Sequence, residues 1–194
     1  ARTYASIGHG GYDAEGNHVG DICIHLGEQV LLDSAQGAAT QTWTQIGHGQ
    51  YEAAGNQSGF ITVVSGLSGA NGGITLKGGN AGGNDQYAQI GHGGTVGSGN
   101  HTGTITVIDV GGGGLTLTGG LAANSYALVG HGDGASNSSG TRAGNIYIDV
   151  DGAITVTTPG PANSVGWIGH QSTNANEGIT LGSANTTLFG TGFN

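Results

Sequence analysis

Apolar and polar residues alternate along this chain in short runs, and the runs recur in a fixed order. One set reads Ile22-Cys23-Ile24, Ile61-Thr62-Val63, Ile105-Thr106-Val107, Ile146-Tyr147-Ile148 and Ile179-Thr180-Leu181. A second set follows 8 to 13 residues later as Val30-Leu31-Leu32, Ile74-Thr75-Leu76, Leu115-Thr116-Leu117, Ile154-Thr155-Val156 and Thr187-Leu188. Ahead of both stands a mostly aromatic-led run: Tyr4 to His9, Trp43 to His48, Tyr87 to His92, Tyr126 to His131, and Val165 to His170. A two-residue period sends one face of each run inward and leaves a Thr-rich column outward. In the aromatic-led run it groups Ala5, Ile7 and His9 on one face, with Tyr4, Ser6 and Gly8 on the other. No ten-residue stretch combines helical apolar spacing with good helix formers, so the pattern predicts an all-β chain.

The aromatic-led run ends in Ile-Gly-His-Gly or a close variant, and its histidines are 39, 44, 39 and 39 residues apart. A near-fixed period of this size marks a solenoid, whose units bury an apolar face only by stacking. Three strands per repeat predict a right-handed parallel β-helix of about five coils of 33–44 residues, rising about 4.8 Å per coil. The expected organisation is a single domain over 1–194, with repeats at approximately 4–42, 43–86, 87–125, 126–164 and 165–194, the last continuing into the next unit. Two shorter coils of about 20 residues per repeat would need six strands in each. Three strands instead favour one coil with a long loop after the His motif. Those loops (GYDAEGNHVG, GQYEAAGNQSG, GTVGSGNHTG, GDGASNSSGTRAG) are small and polar, and are expected to be solvated turns or a binding edge. The extra length of the second repeat falls around Ser65 to Gly73. Placing Asn194 before Ala1 continues the pattern with a 33-residue repeat. This predicts a segment within a longer filament, extended covalently or by end-to-end stacking.

Composition sharpens the picture. Glycine supplies 44 of 194 residues, far above the usual share of about 7%, and punctuates the strand runs as turn chemistry. Only 3 Lys+Arg oppose 12 Asp+Glu, for a formal charge of −9. That balance excludes a phosphate-backbone footprint and electrostatic binding to an anionic membrane, and no apolar span is long enough for a membrane helix. No nucleic-acid partner and no membrane insertion are expected. Cys23 is the only cysteine, so no internal disulfide forms; a half-buried free thiol is expected.

The runs GNIYIDVDGAITVTTPG, GTITVIDVGGGGLTLTGG and YAQIGHGG resemble the repeat regions of large bacterial surface exoproteins. These are the filamentous-haemagglutinin-like adhesins of two-partner secretion and related autotransporter-type proteins. The resemblance is one of repeat style over nearly the whole chain. It implies a right-handed β-helical shaft, export across the outer membrane, an extracellular or cell-surface location, and a role in adhesion or surface coating.

Candidate chemistry lies in three groups. His9, His48, His92, His131 and His170 form a column that reads either as a metal or proton track or as a hydrogen-bonded ladder fixing register. No cysteine or carboxylate recurs beside them, so the ladder is preferred, and neither metal nor cofactor is expected. Like charges in a row oppose protonation, so acid should loosen the stack. Tyr4, Trp43, Tyr87 and Tyr126 form an aromatic stripe, either a carbohydrate platform or an internal stack, with Trp167 adding exposed aromatic surface. Among carboxylates, Asp109, Asp149 and Asp151 cluster near one strand end, while Asp85 and Asp133 sit in turns. Only Arg2, Lys77 and Arg142 are available to bind an acidic polysaccharide, and no Ser/His/Asp set stands out, so no catalytic residue is assigned and no enzyme is expected. Sequons occur at Asn56, Asn100, Asn137 and Asn185. The outward Thr columns raise ice binding or mineral templating, but Cys23, Tyr147 and Leu31 interrupt them. The expectation is a non-catalytic rod. Its partners are other copies or flanking coils end to end, with host or matrix glycans as a second class. The runner-up is a carbohydrate-binding or polysaccharide-degrading β-helix that uses the aromatic stripe and loop carboxylates.

Overall fold

Hydrophobic alternation with a period of two, interrupted by glycine, leaves each repeat as a set of short strands that pair only with other repeats. A computed structural model describes residues 2–34, 39–69, 71–80, 83–133, 139–160 and 164–170, together with the backbone of 176–182 and 188–189. The chain opens with β1 (Thr3–Ile7), β2 (His18–Val19), β3 (Ile22–His25) and β4 (Val30–Asp33). The quartet returns as β5 (Thr42–Ile46), β6 (Gln57–Ser58), β7 (Ile61–Ser65) and β8 (Ile74–Lys77). It returns again as β9 (Gln86–Ile90), β10 (His101–Thr102), β11 (Ile105–Asp109) and β12 (Leu115–Thr118). In the fourth repeat β13 (Ala127–Val129) precedes β14 (Arg142–Val150), where the second and third members fuse, and β15 (Ile154–Thr157). Then come β16 (Gly166–Ile168), β17 (Asn176–Gly182) and β18 (Leu188–Phe189). No helix occurs among the described residues.

Every ladder is parallel, and each joins a repeat to the next. The aromatic-led strands form one sheet in the order β1-β5-β9-β13-β16. The Ile/Val strands and the short polar strands form a second, β2-β6-β10-β14-β11-β7-β3, with β17 also on β14. The third runs β18-β15-β12-β8-β4. Register follows the sequence columns: Tyr4 lies opposite Trp43 and then Tyr87, Ile61 opposite Ile105, and Ile74 opposite Leu115. Each repeat adds one strand to the first and third sheets and, in the first three repeats, two to the second, which gives an all-β, solenoid-like fold. The fourth strand is a departure from the three expected. It is the two-residue ladder His18, Gln57, His101, Arg142, set inside the loop that reads as solvated turn.

The inward faces meet in one apolar core. Ile61, Val63, Ile105, Val107, Ile146 and Ile148 come from the second sheet, Ile74, Leu76, Leu115, Leu117 and Ile154 from the third, and Ile46, Ile90, Val129 and Ile168 from the first. The central members are wholly shielded from solvent. Fully burying one such side chain contributes about 1.5–3 kcal/mol, and stacking repeats is the only route to that burial. Outward positions of the second and third sheets carry the Thr columns Thr62–Thr106 and Thr75–Thr116–Thr155.

Candidate functional site

The histidine column stands at the corner after the first sheet. Its rings are stacked face to face at 5.0, 5.0, 4.9 and 4.6 Å, with interplanar angles of 17°, 6°, 1° and 7°. Both ring nitrogens are used from the second repeat on. The backbone N–H of His9 donates to Nδ1 of His48 at 2.9 Å, and those of His48, His92 and His131 donate to the next ring at 3.0 Å. Because Nδ1 accepts, the proton is on Nε2. From there it reaches the carbonyl of a second glycine column: Gly20 from His48 (2.8 Å), Gly59 from His92 (3.0 Å), Gly103 from His131 (2.9 Å) and Gly144 from His170 (3.3 Å). Each ring therefore grips the preceding repeat at two backbone points. No lone pair is left for a metal on these four rings. Among the described residues, no group of three or more His, Cys, Asp or Glu is placed to hold a metal ion.

The glycines of the motif are required by closeness. Gly47 and Gly91 have φ of 155° and 153°. A Cβ on either would collide with the carbonyl oxygen of the matching glycine in the following repeat. Burial holds the imidazole of His92 down at about 4 and that of His131 well below the usual range, with neighbouring rings a smaller push in the same direction. His48 and His170 are lowered too, again by burial first. Repulsion along the row, the expected cause, is thus secondary to desolvation.

Most of the aromatic stripe is shut away from solvent. Trp43, Tyr87 and Tyr126 are buried; of the four only Tyr4, in the first repeat, is open, at 53% exposure. The rings stack along the axis at 4.8, 5.9 and 4.8 Å. They lie on the side of the first sheet away from the apolar core, where the loops after the His motif fold back over them. Tyr51 packs on Trp43 at 5.7 Å, and Trp167 is half-buried against the same cluster instead of adding exposed aromatic surface. The loops expected to be solvated are thus the lid of a second interior. Gln50 accepts a hydrogen bond from the Trp43 indole at 2.9 Å, and Gln57, His101 and Arg142 are buried there. Arg142 donates to the Gly99 and Ser139 carbonyls. Burial, with the Arg142 charge second, holds His101 down at about 2.

The carboxylates do not converge. Asp109 points inward and is buried, whereas Asp149 pairs with Ile108 one step out of phase and faces solvent, as does Asp151. Asp109 accepts from Ser65 Oγ (2.8 Å), the Gly73 N–H (2.7 Å) and the Gly114 N–H (2.8 Å). Burial pushes its carboxyl up, and these bonds outweigh that and hold it below the ordinary value. It is a corner pin. Asp85 accepts from Asn124 Nδ2 at 2.9 Å, and Asp133 is buried under the loop at Val96. Cys23 is exposed, not half-buried, with its sulfur 3.5 Å from His25 Nε2.

One device escaped the sequence reading. Asn17, Asn56 and Asn100 form a second ladder, in which the N–H of Asn56 donates to Asn17 Oδ1 (2.9 Å), that of Asn100 to Asn56 (2.9 Å) and that of Thr141 to Asn100 (3.0 Å). Its signal was present as a recurrent Gly-Asn inside loops that otherwise vary. Two sequons, Asn56 and Asn100, are thereby rungs of this ladder, while Asn137 and Asn185 lie outside the described residues. Buried Gln45 and Gln89 brace the His corner: Gln45 donates to the Gly49 carbonyl of its own repeat and the Gly91 carbonyl of the next, and Gln89 to the Gly130 and Gly132 carbonyls of the next repeat. The chain matches no protein-family model, no curated protein and no solved structure.

Proposed function

We propose that the chain is a structural, non-catalytic segment or subunit of an extracellular bacterial filament or adhesin. It works as a stiff rod of about five right-handed coils, continued head to tail. The observation that carries this is the use of the chemically capable side chains. The buried imidazoles, Asp109 and the Asn column all bond backbone groups of adjoining repeats. Such groups resist shear between repeats, and among the described residues they leave no converged acid, base or nucleophile. The style of the repeats supports the adhesin assignment and the cell-surface location.

Electron microscopy of the purified chain combined with limited proteolysis tests the rod. Straight, protease-resistant particles of uniform width are expected; compact particles digested at many internal sites would sink it. A glycan array tests the carbohydrate alternative. Binding that survives removal of exposed Tyr147 and maps to the loops would displace the rod as the main role.

A further inference from the structure

The space under the lid holds more hydrogen-bonding capacity than its side chains use on one another. Gln57, His101 and Arg142 stand in one column, in register across the short polar strands, and each is fully buried. Gln57 and His101 belong to the second and third repeats, with a described repeat on either side. The Gln57 amide lies on Gly49 and the His101 ring on Gly93, the glycines that close the His motif in those repeats. Yet among the described residues the oxygen and nitrogen of the Gln57 amide, both ring nitrogens of His101, and Arg142 Nε meet no donor or acceptor. The Ser98 carbonyl lies near the His101 ring without bonding geometry to either nitrogen. Two more unmatched groups adjoin the column: Nε2 of Gln50, the residue after Gly49, and the Tyr87 hydroxyl, which lies against Gly94.

Spacing and chemistry together define what these groups bind. Atoms at equal depth on successive rungs are about 4.8 Å apart, beyond the roughly 2.7–3.2 Å of a direct hydrogen bond. That separation is the span of two bonds that meet at one bridging oxygen. The groups also mix roles. The Gln57 amide donates and accepts, neutral His101 does both, and Gln50 Nε2 and Arg142 Nε only donate. A cation needs acceptors alone and an anion donors alone. The one charged member, Arg142, already gives its terminal nitrogens to the carbonyls of Gly99, Ser139 and Thr141.

We propose that the lid encloses a file of bound water, one molecule bridging Gln57 to His101 and one bridging His101 to Arg142, with Gln50 and Tyr87 as further partners. A buried water makes about three hydrogen bonds, and this set of donors and acceptors supplies them. The His and Asn ladders tie repeats by direct bonds to backbone groups; the lid column ties them through solvent taken in on folding. The site stands independently of the rod assignment.

Water-to-protein magnetisation transfer in nuclear magnetic resonance tests it, on the isotope-labelled chain in solution or, where it assembles, under magic-angle spinning. Cross-peaks from water to the Gln57 side-chain amide protons and the His101 ring protons are expected, although both side chains are shut off from bulk solvent. They should survive Y87F, which removes the one hydroxyl at the site able to relay magnetisation by exchange. Q57M combined with H101L removes both partners of the first bridge, a change that leaves no buried group unpaired at that step. The methyl groups it introduces should show no transfer from water. A parent chain without the cross-peaks overturns the proposal, and this reading needs no variant to fold. Cross-peaks abolished by Y87F, or water seen at the methyls of the double variant, overturn it too, since the polar column then does not hold the water. A small ion or molecule retained by the folded chain in native mass spectrometry, and lost in the double variant, overturns water as the ligand.

Discussion

The chain has two interiors, and they are built on opposite rules. The larger is closed by three sheets and filled with Ile, Val and Leu that bond nothing. The smaller lies between the first sheet and the loops. It is filled with stacked Trp and Tyr, buried Gln, His101 and Arg142, and it is flanked by the His and Asn ladders. An apolar core rewards any tight filling and tolerates exchange among similar side chains. A polar interior fails when one partner is removed, because the other is left buried and unpaired. The large core therefore supplies the drive to stack, and the small one supplies the register.

The sharpest way to break this division is at its closest approach. G91V places a branched side chain against the Gly130 carbonyl, in a backbone conformation that L residues rarely adopt. It should cost more than about 4 kcal/mol, seen in urea unfolding as loss of the cooperative transition. Next, I105A opens a cavity in the apolar core and should cost about 2–5 kcal/mol while leaving the pH dependence of stability unchanged. A stability-against-pH slope altered by I105A would dissolve the contrast.

Between pH 8 and 4, acid should act chiefly through the His ladder that flanks the small interior. The His92 imidazole titrates near 6.5 when unfolded and at about 4 when folded. Its contribution is complete above pH 6.5 and is lost as pH falls toward 4, on the order of 3 kcal/mol. Chemical denaturation from pH 8 to 4 should show the decline, and H92Q should flatten it. An H92Q slope equal to that of the parent would show that some other group carries the effect. The smallest effect belongs to Val96, which holds a φ of 62° in an exposed turn of the lid. V96N relieves that strain and should raise stability by about 1 kcal/mol, read as a higher melting temperature.

What could be read in advance divides along the same line. The strands of the large core are announced by Ile-Thr-Val and Leu-Thr-Leu, because period-two alternation is the signature of a half-buried strand. Histidine spacing likewise announces one ring per repeat. The lid escaped because its strands, such as Gln57–Ser58, are two residues long and polar, too short to carry a period. Without the lid, nothing in Tyr87 or Trp43 tells an exposed stripe from a buried stack, since both need the same strand position. Asp109 misled for a related reason: proximity in sequence to Asp149 and Asp151 said nothing of phase, and one residue of phase turns a side chain from surface to interior.

The corner pinned by Asp109 has a consequence for how such a chain can change. The connection from the second to the third sheet runs eight residues in the second repeat, against four, five and three in the first, third and fourth. Yet the ladders on either side keep step. Ser65 and Gly73, at the two feet of the long connection, both bond Asp109. The added residues Gly66 to Ser68 lie outside, over Leu26 to Glu28 of the repeat before. Length at this corner is decoupled from pitch, so a lineage or an engineer can lengthen it, graft an epitope there or trim it back, and the shaft keeps its thread.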